Sequence, residues 1–223
     1  MSAESQAAEA VREPLLSPVD RVSELLFGLF MALTFTGAVS IADSGRDQIR
    51  EMFIAAFGCN IAWGLVDAVM YLVRTVADRG KTLTLVRSVR EAPDAQTGCT
   101  IIAQSMSRTV ALLLTATEIE AARRRIVALP SLPARPKLKR VDLLAALAIF
   151  LIVVASTIPV VLPFVFIQDI GTAKNVSRAI ALAMLFFGGL ALGRYAGYGS
   201  FKVGFMMVGV GSALVVAITL LGG

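Results

Sequence analysis

The chain has no histidine, two cysteines, one tryptophan and only 17% charged residues in a length of 223. Without histidine there is no imidazole to serve as a general base, and no Ser–His or Cys–His pair can form. Cys/His zinc sites and cysteine-held iron–sulfur clusters are excluded by count. Cys59 falls in an apolar run and Cys99 in a polar segment, so no disulfide between them is expected. A metal bound here has to use carboxylates, thioethers, amides, hydroxyls or carbonyls, and the chain is not expected to be an enzyme.

What is abundant is apolar sequence. Hydrophobic residues make up 57% of the chain and its mean hydropathy is +0.77, outside the usual range of soluble domains. Five uncharged or nearly uncharged runs stand out, at 25–42, 52–73, 143–167, 176–193 and 203–223. A hydrocarbon core about 30 Å thick takes about 20 helical residues to cross. The runs lack the alternation of barrel strands, so helices are expected. The expected fold class is an all-α membrane protein: five transmembrane helices, with a cytoplasmic helical insert between spans two and three.

Charge orients the bundle. With the N-terminus inside, seventeen of the twenty-one Lys and Arg fall on the cytoplasmic side, thirteen of them between Arg74 and Arg140. Only Arg46, Arg50, Lys174 and Arg178 fall outside. The pI near 9.6 therefore points to anionic headgroups rather than nucleic acid. The N-terminal stretch does not read as a cleavable signal. Four regions are expected: a disordered tail at 1–20, a transmembrane hairpin at 21–73, an insert at 74–142 and spans three to five at 143–223. Within the insert, Gly80, Pro93 and Gly98 are expected breaks, and 100–129 an amphipathic helix with Leu112, Leu113, Ile119 and Ile126 on its apolar side. Pro130, Pro133 and Pro136 then stop the helix.

Small residues recur at four-residue spacing in span one (Gly28, Ala32, Thr36, Ser40), span two (Ala56, Asn60, Gly64, Ala68) and span four (Gly189, Gly193, Gly197). Such seams allow backbones to approach closely, within the chain or across a homodimer. Span two is the chemically loaded one. Asn60, Gly64, Asp67 and Tyr71 share a face, with Met70 beside it. An ionised Asp in a span costs about 2.5–3.5 kcal/mol on insertion scales, so Asp67 requires a partner, water or a proton. Met31 of span one has a similar depth, and Arg194 enters from the same side. Two readings follow. In one, Asp67 and Arg194 form a structural ion pair, with Glu24 and Arg74 pairing at the interface. In the other, Asp67, Met31, Met70 and Asn60 hold a proton or a divalent cation such as Mn²⁺ or Fe²⁺. Span three carries Ser156, Thr157, Pro159 and Pro163, whose prolines free carbonyls for a neighbour or a pathway.

The layout resembles the vacuolar iron transporter family from about Asp20 onward. The likeness rests on the five spans, the insert after span two, the proline-bearing STIPVVLPF, the glycine-rich FFGGLALGRYAGYGS and the close LLGG. It implies homodimeric transport of Fe²⁺ or Mn²⁺, proton-coupled and outward from the cytoplasm, with no permanently bound cofactor and a bacterial inner membrane as location. The family's usual Asp-Gly pair in span one is replaced by FGLFMALTFTG, where Met31 stands at the acid's place, and Asp67 stands for the Glu of span two. The family's metal-collecting insert implies Glu118 and Glu120 as a cytoplasmic capture point, with Glu91 and Met106 nearby in sequence. The alternative is a non-transporting scaffold of the same fold.

Overall fold

The computed structural model describes residues 16–38, 46–197 and 199–220, all their regular structure being helical. The helices are α1 Pro18–Ala38, α2 Arg46–Arg90, α3 Ala95–Ser105, α4 Arg108–Leu113, α5 Ala116–Val127, α6 Arg140–Phe166, α7 Ile170–Ala196 and α8 Ser200–Leu220. The chain divides into two compact units, Met1–Met70 with Val141–Gly223, and Tyr71–Arg140. Four helices have the length and apolarity to cross a membrane: Phe57–Arg90, Arg140–Phe166, Ile170–Tyr195 and Ser200–Leu220. Among the described residues the fold is thus all-helical with four candidate spans. The run expected at 25–42 is helical in α1 as far as Ala38, and its last residues, Ser40 among them, lie outside the described residues.

In the first unit α1 starts on a reciprocal cap. Asp20 N–H donates to Ser17 Oγ and Ser17 N–H to Asp20 Oδ2, both at 3.1 Å, with Pro18 at the first helical position. Leu26, Leu29, Ala32 and Leu33 of α1 then bury against Val160 of α6 and Ala181 and Leu185 of α7. Helix α7 packs against α8 and α1. The seams work inside the chain. A Cβ on Gly189 would lie 2.7 Å from Gly204 Cα, and one on Gly193 2.6 Å from Ser200 Cα, so α7 and α8 touch backbone to backbone. Gly28 likewise abuts Val153 and Ser156 of α6, and Gly64 abuts Phe150. Gly197 differs from its expected packing role: nothing lies within 4 Å of its Cβ position, and its φ of +72° ends α7 in the left-handed conformation glycine tolerates. Outward, α6 exposes Leu143, Leu144, Leu147 and Leu151, an apolar face suited to lipid.

Helix α6 runs through Pro159 and Pro163 without interruption. Between the two prolines, the carbonyl of Val160 also accepts the buried Ser177 hydroxyl of α7 at 2.6 Å, a polar tie between the two helices.

The second unit departs from expectation in three places. Gly80 does not break the chain; α2 continues to Arg90 and ends just before Pro93, where the residue before a proline leaves the helical region. Gly98 lies buried within α3, with the Arg123 side chain filling the space a Cβ would take. The single helix expected over 100–129 is three helices. Ser107 caps α4 and Thr115 caps α5, each accepting from a backbone N–H three residues on, and these hydroxyls outcompete continuation of the helix. The segment after α5 is extended and proline-bearing, and arginines of α2 satisfy its carbonyls. Arg90 donates to Leu129 O at 2.6 Å, Arg87 to Ala134 O at 2.7 Å and Arg79 to Lys137 O at 2.8 Å.

Candidate functional site

The stripe on α2 is only partly a single environment. Asn60 is 7% exposed and Ala68 also buried, Asp67 is half-buried, and Met70 is 46% exposed. Asn60 is the unusual member, because neither its Oδ1 nor its Nδ2 has a hydrogen-bond partner among the described residues although both atoms are buried. A buried amide left unsatisfied costs about 1–3 kcal/mol, so such a group calls for an explanation in function.

Asn60 lines a pocket of about 480 Å³ in the first unit, together with Met31 and Thr34 of α1 and Thr157 of α6. Phe27, Phe57, Trp63 and Cys59 form much of the remaining wall. Two of the expected ligands, Met31 and Asn60, are therefore brought together. Asp67 and Met70 do not line this pocket. Asp67 follows Asn60 by seven residues, about 10 Å along the helix.

The hydroxyls in the pocket have their protons committed. Thr34 Oγ1 donates to Met31 O at 2.8 Å and Thr157 Oγ1 to Val154 O at 2.7 Å. Each oxygen keeps lone pairs for another donor or a cation. Amide oxygen, thioether sulfur and hydroxyl oxygens make a neutral donor set; the Cys59 thiol and the Trp63 indole N–H, which can only donate, are the remaining heteroatom side chains on the wall.

The ion pair expected between Asp67 and Arg194 is not formed. Arg194 sits exposed in the last turn of α7, the helix that packs on α1 and α8, and makes no ion pair among the described residues. Glu24 lies half-buried on α1 and Arg74 at the start of the second unit.

The carboxylates of the insert have structural work. Glu118 completes a capping box: its Oε2 accepts from Thr115 N–H at 2.7 Å, and Thr115 Oγ1 accepts from Glu118 N–H at 3.3 Å. The Thr115 backbone N–H, then its hydroxyl, hold the Glu118 carboxyl below its ordinary range. Glu120 accepts a fork from Arg123, Nε at 2.6 Å and Nη2 at 2.8 Å, and a further bond from Arg124 Nε at 2.8 Å. These guanidinium bonds, Arg123 first, hold its carboxyl far below the carboxylate range. The Cys99 thiol also donates to Glu120, at 3.3 Å. Burial, then that contact, pushes the thiol up, so it stays protonated and poorly nucleophilic at neutral pH. Among the described residues no three His, Cys, Asp or Glu side chains are grouped as a metal cluster.

Four residues of interest escape a reading by spacing. Thr34 and Thr157 reach the pocket from helices whose mutual approach depends on Gly28 packing against α6. Arg178 of α7 has buried Nε and Nη2 atoms without hydrogen-bond partners among the described residues, where sequence marked it only as an outside charge. Asp142 is 4% exposed in the first turn of α6, one residue before the expected start of span three. An acid there favours the helix N-terminus, a signal available from sequence.

No protein-family description matches the chain, and no curated protein matches it.

Proposed function

We propose that this chain is a divalent metal transporter of the vacuolar iron transporter type, moving Fe²⁺ or Mn²⁺ out of the cytoplasm in exchange for protons. It would have five spans, the N-terminus and the insert on the cytoplasmic side, and a homodimeric assembly in a bacterial inner membrane. The observation that carries this reading is Asn60: a buried amide with both ends unbonded, on the wall of a pocket that also holds Met31. A cation passing through supplies the partner that the amide oxygen lacks. Thioether and oxygen donors together suit a borderline transition-metal ion better than Ca²⁺ or Mg²⁺. Asp67, further along α2, supplies the negative charge that the pocket does not.

One observation favours a second reading, a non-transporting membrane scaffold of the same fold. Glu118 and Glu120 are occupied by a helix cap and by arginines, which leaves the insert poor in free carboxylates for collecting metal.

The test is uptake of Fe²⁺ and Mn²⁺ into proteoliposomes, with and without a pH gradient. Metal accumulation that depends on the gradient, and that falls at least about tenfold in Asp67→Asn, supports transport; about 1.4 kcal/mol of lost interaction suffices for that change. No accumulation by well-folded wild-type protein, under either condition, leaves the scaffold reading standing.

A further inference from the structure

The apolar side expected of the insert's helices is not where the structure puts it. Leu112 and Leu113, expected to face inward, are 79% and 77% exposed at the end of α4, and Val110 on the same short helix is 44% exposed. The insert's buried apolar side chains are others, Leu83, Val89 and Ile102. A six-residue helix has little stability of its own in water, and nothing in the unit covers these leucines. Large apolar side chains this exposed mark a contact surface.

Charge says which kind. Residues 71–140 carry thirteen Lys and Arg against five Asp and Glu, a net +8 in a chain whose total is +5. Four of the five acids, Asp78, Asp94, Glu118 and Glu120, are already bonded within the unit. Arg108 opens α4, and Arg124 and Arg125 lie exposed on α5. Two copies of so basic a unit repel each other, whereas a layer of anionic headgroups attracts both, with Lys or Arg near the surface worth about 1 kcal/mol each. The unit is also tethered at both ends to membrane-length helices, so headgroups are present at high effective concentration. We propose that α4 is an interfacial anchor: Leu112 and Leu113 enter the headgroup layer of an anionic bilayer while Arg108, on the same helix, meets lipid phosphate.

The test uses the full-length protein in lipid nanodiscs. In a Cys59→Ser, Cys99→Ser background, Leu113→Cys is labelled with an environment-sensitive fluorophore; Arg125→Cys serves as the comparison. Residue 113 is exposed, so neither labelling nor Leu112→Ser is expected to disturb folding. In discs of phosphatidylcholine with phosphatidylglycerol, the label at 113 is expected to shift to the blue. It is also expected to resist aqueous iodide several-fold better than the label at 125. Raised salt or discs of phosphatidylcholine alone should reduce that protection, because exposed charges are screened. Leu112→Ser should lower it further. A label at 113 as open to iodide in anionic discs as at 125 overturns the proposal. Protection that depends on two protein copies per disc, and not on lipid charge, overturns it equally, in favour of self-association.

Discussion

The two units differ in how far they use up their polar side chains. In the insert, acidic side chains are consumed: Asp94 caps α3 through Thr97, Glu118 closes the box at α5, and Glu120 grips two arginines. In the membrane unit, Asn60 has a buried side chain with nothing bonded to it, and Arg178 has two such buried nitrogens. The lesson concerns where spare bonding capacity lies. An ion or substrate is held by groups that the fold has not already used, and here that capacity sits among the apolar helices rather than in the charged insert.

The widest break between the units is expected from Gly193→Leu. The backbones of α7 and α8 leave no room there, and overpacking costs about 1–3 kcal/mol or more. Thermal unfolding of the purified protein should move down sharply, while hydrogen exchange in α3 and α5 stays unchanged. A wild-type melting curve would mean that the α7–α8 seam is not a close contact.

Thr115→Ala probes the other side. It removes the cap of α5 and half of the box, about 1 kcal/mol by analogy with other caps. Faster exchange confined to 116–127, with the membrane helices untouched, is the expected result. Loss of transmembrane stability in this variant would show that the two units are energetically one.

Acid gives the finest distinction. The Glu120 carboxyl lies lower in the folded insert than in the unfolded chain, because Arg123 and Arg124 bond its charged form. Its contribution is therefore complete above the unfolded value of about 4.3 and is lost as pH falls toward the folded one. Exchange in α3 and α5 should accelerate in that acid window, and Glu120→Gln should remove the part of the pH dependence that Glu120 provides. The same exchange profile in both proteins would remove the Glu120 fork from the account.

Much of the membrane unit was legible because hydrophobic length is a direct physical requirement of the bilayer. The apolar runs of spans three to five correspond to α6, α7 and α8, residues 221–223 lying outside the described ones, and the seams at Gly189 and Gly193 are close contacts. The insert was less legible. Its residues satisfy a helical period across 100–129, and only the competition of Ser107 and Thr115 for backbone N–H groups divides that stretch into three helices. The Thr115-x-x-Glu118 box was present in the sequence as a start signal, yet the acid was read for its charge rather than for its cap. The site was half legible. Spacing put Asn60 and Asp67 on one face, but burial separates them, and the partner helices that bring Thr34 and Thr157 to Asn60 have no signature in the periodicity of α2.

The central claim is that Asn60 is kept for a ligand and not for the fold. The direct measurement is Asn60→Leu, read for thermal stability and for Fe²⁺ uptake in the same preparation. Replacing an unsatisfied buried amide by an apolar side chain of similar size is expected to leave stability unchanged or raise it, by as much as about 1–3 kcal/mol, while uptake is lost. A destabilised protein, or a stable one that still takes up Fe²⁺ at the wild-type rate, would contradict the claim.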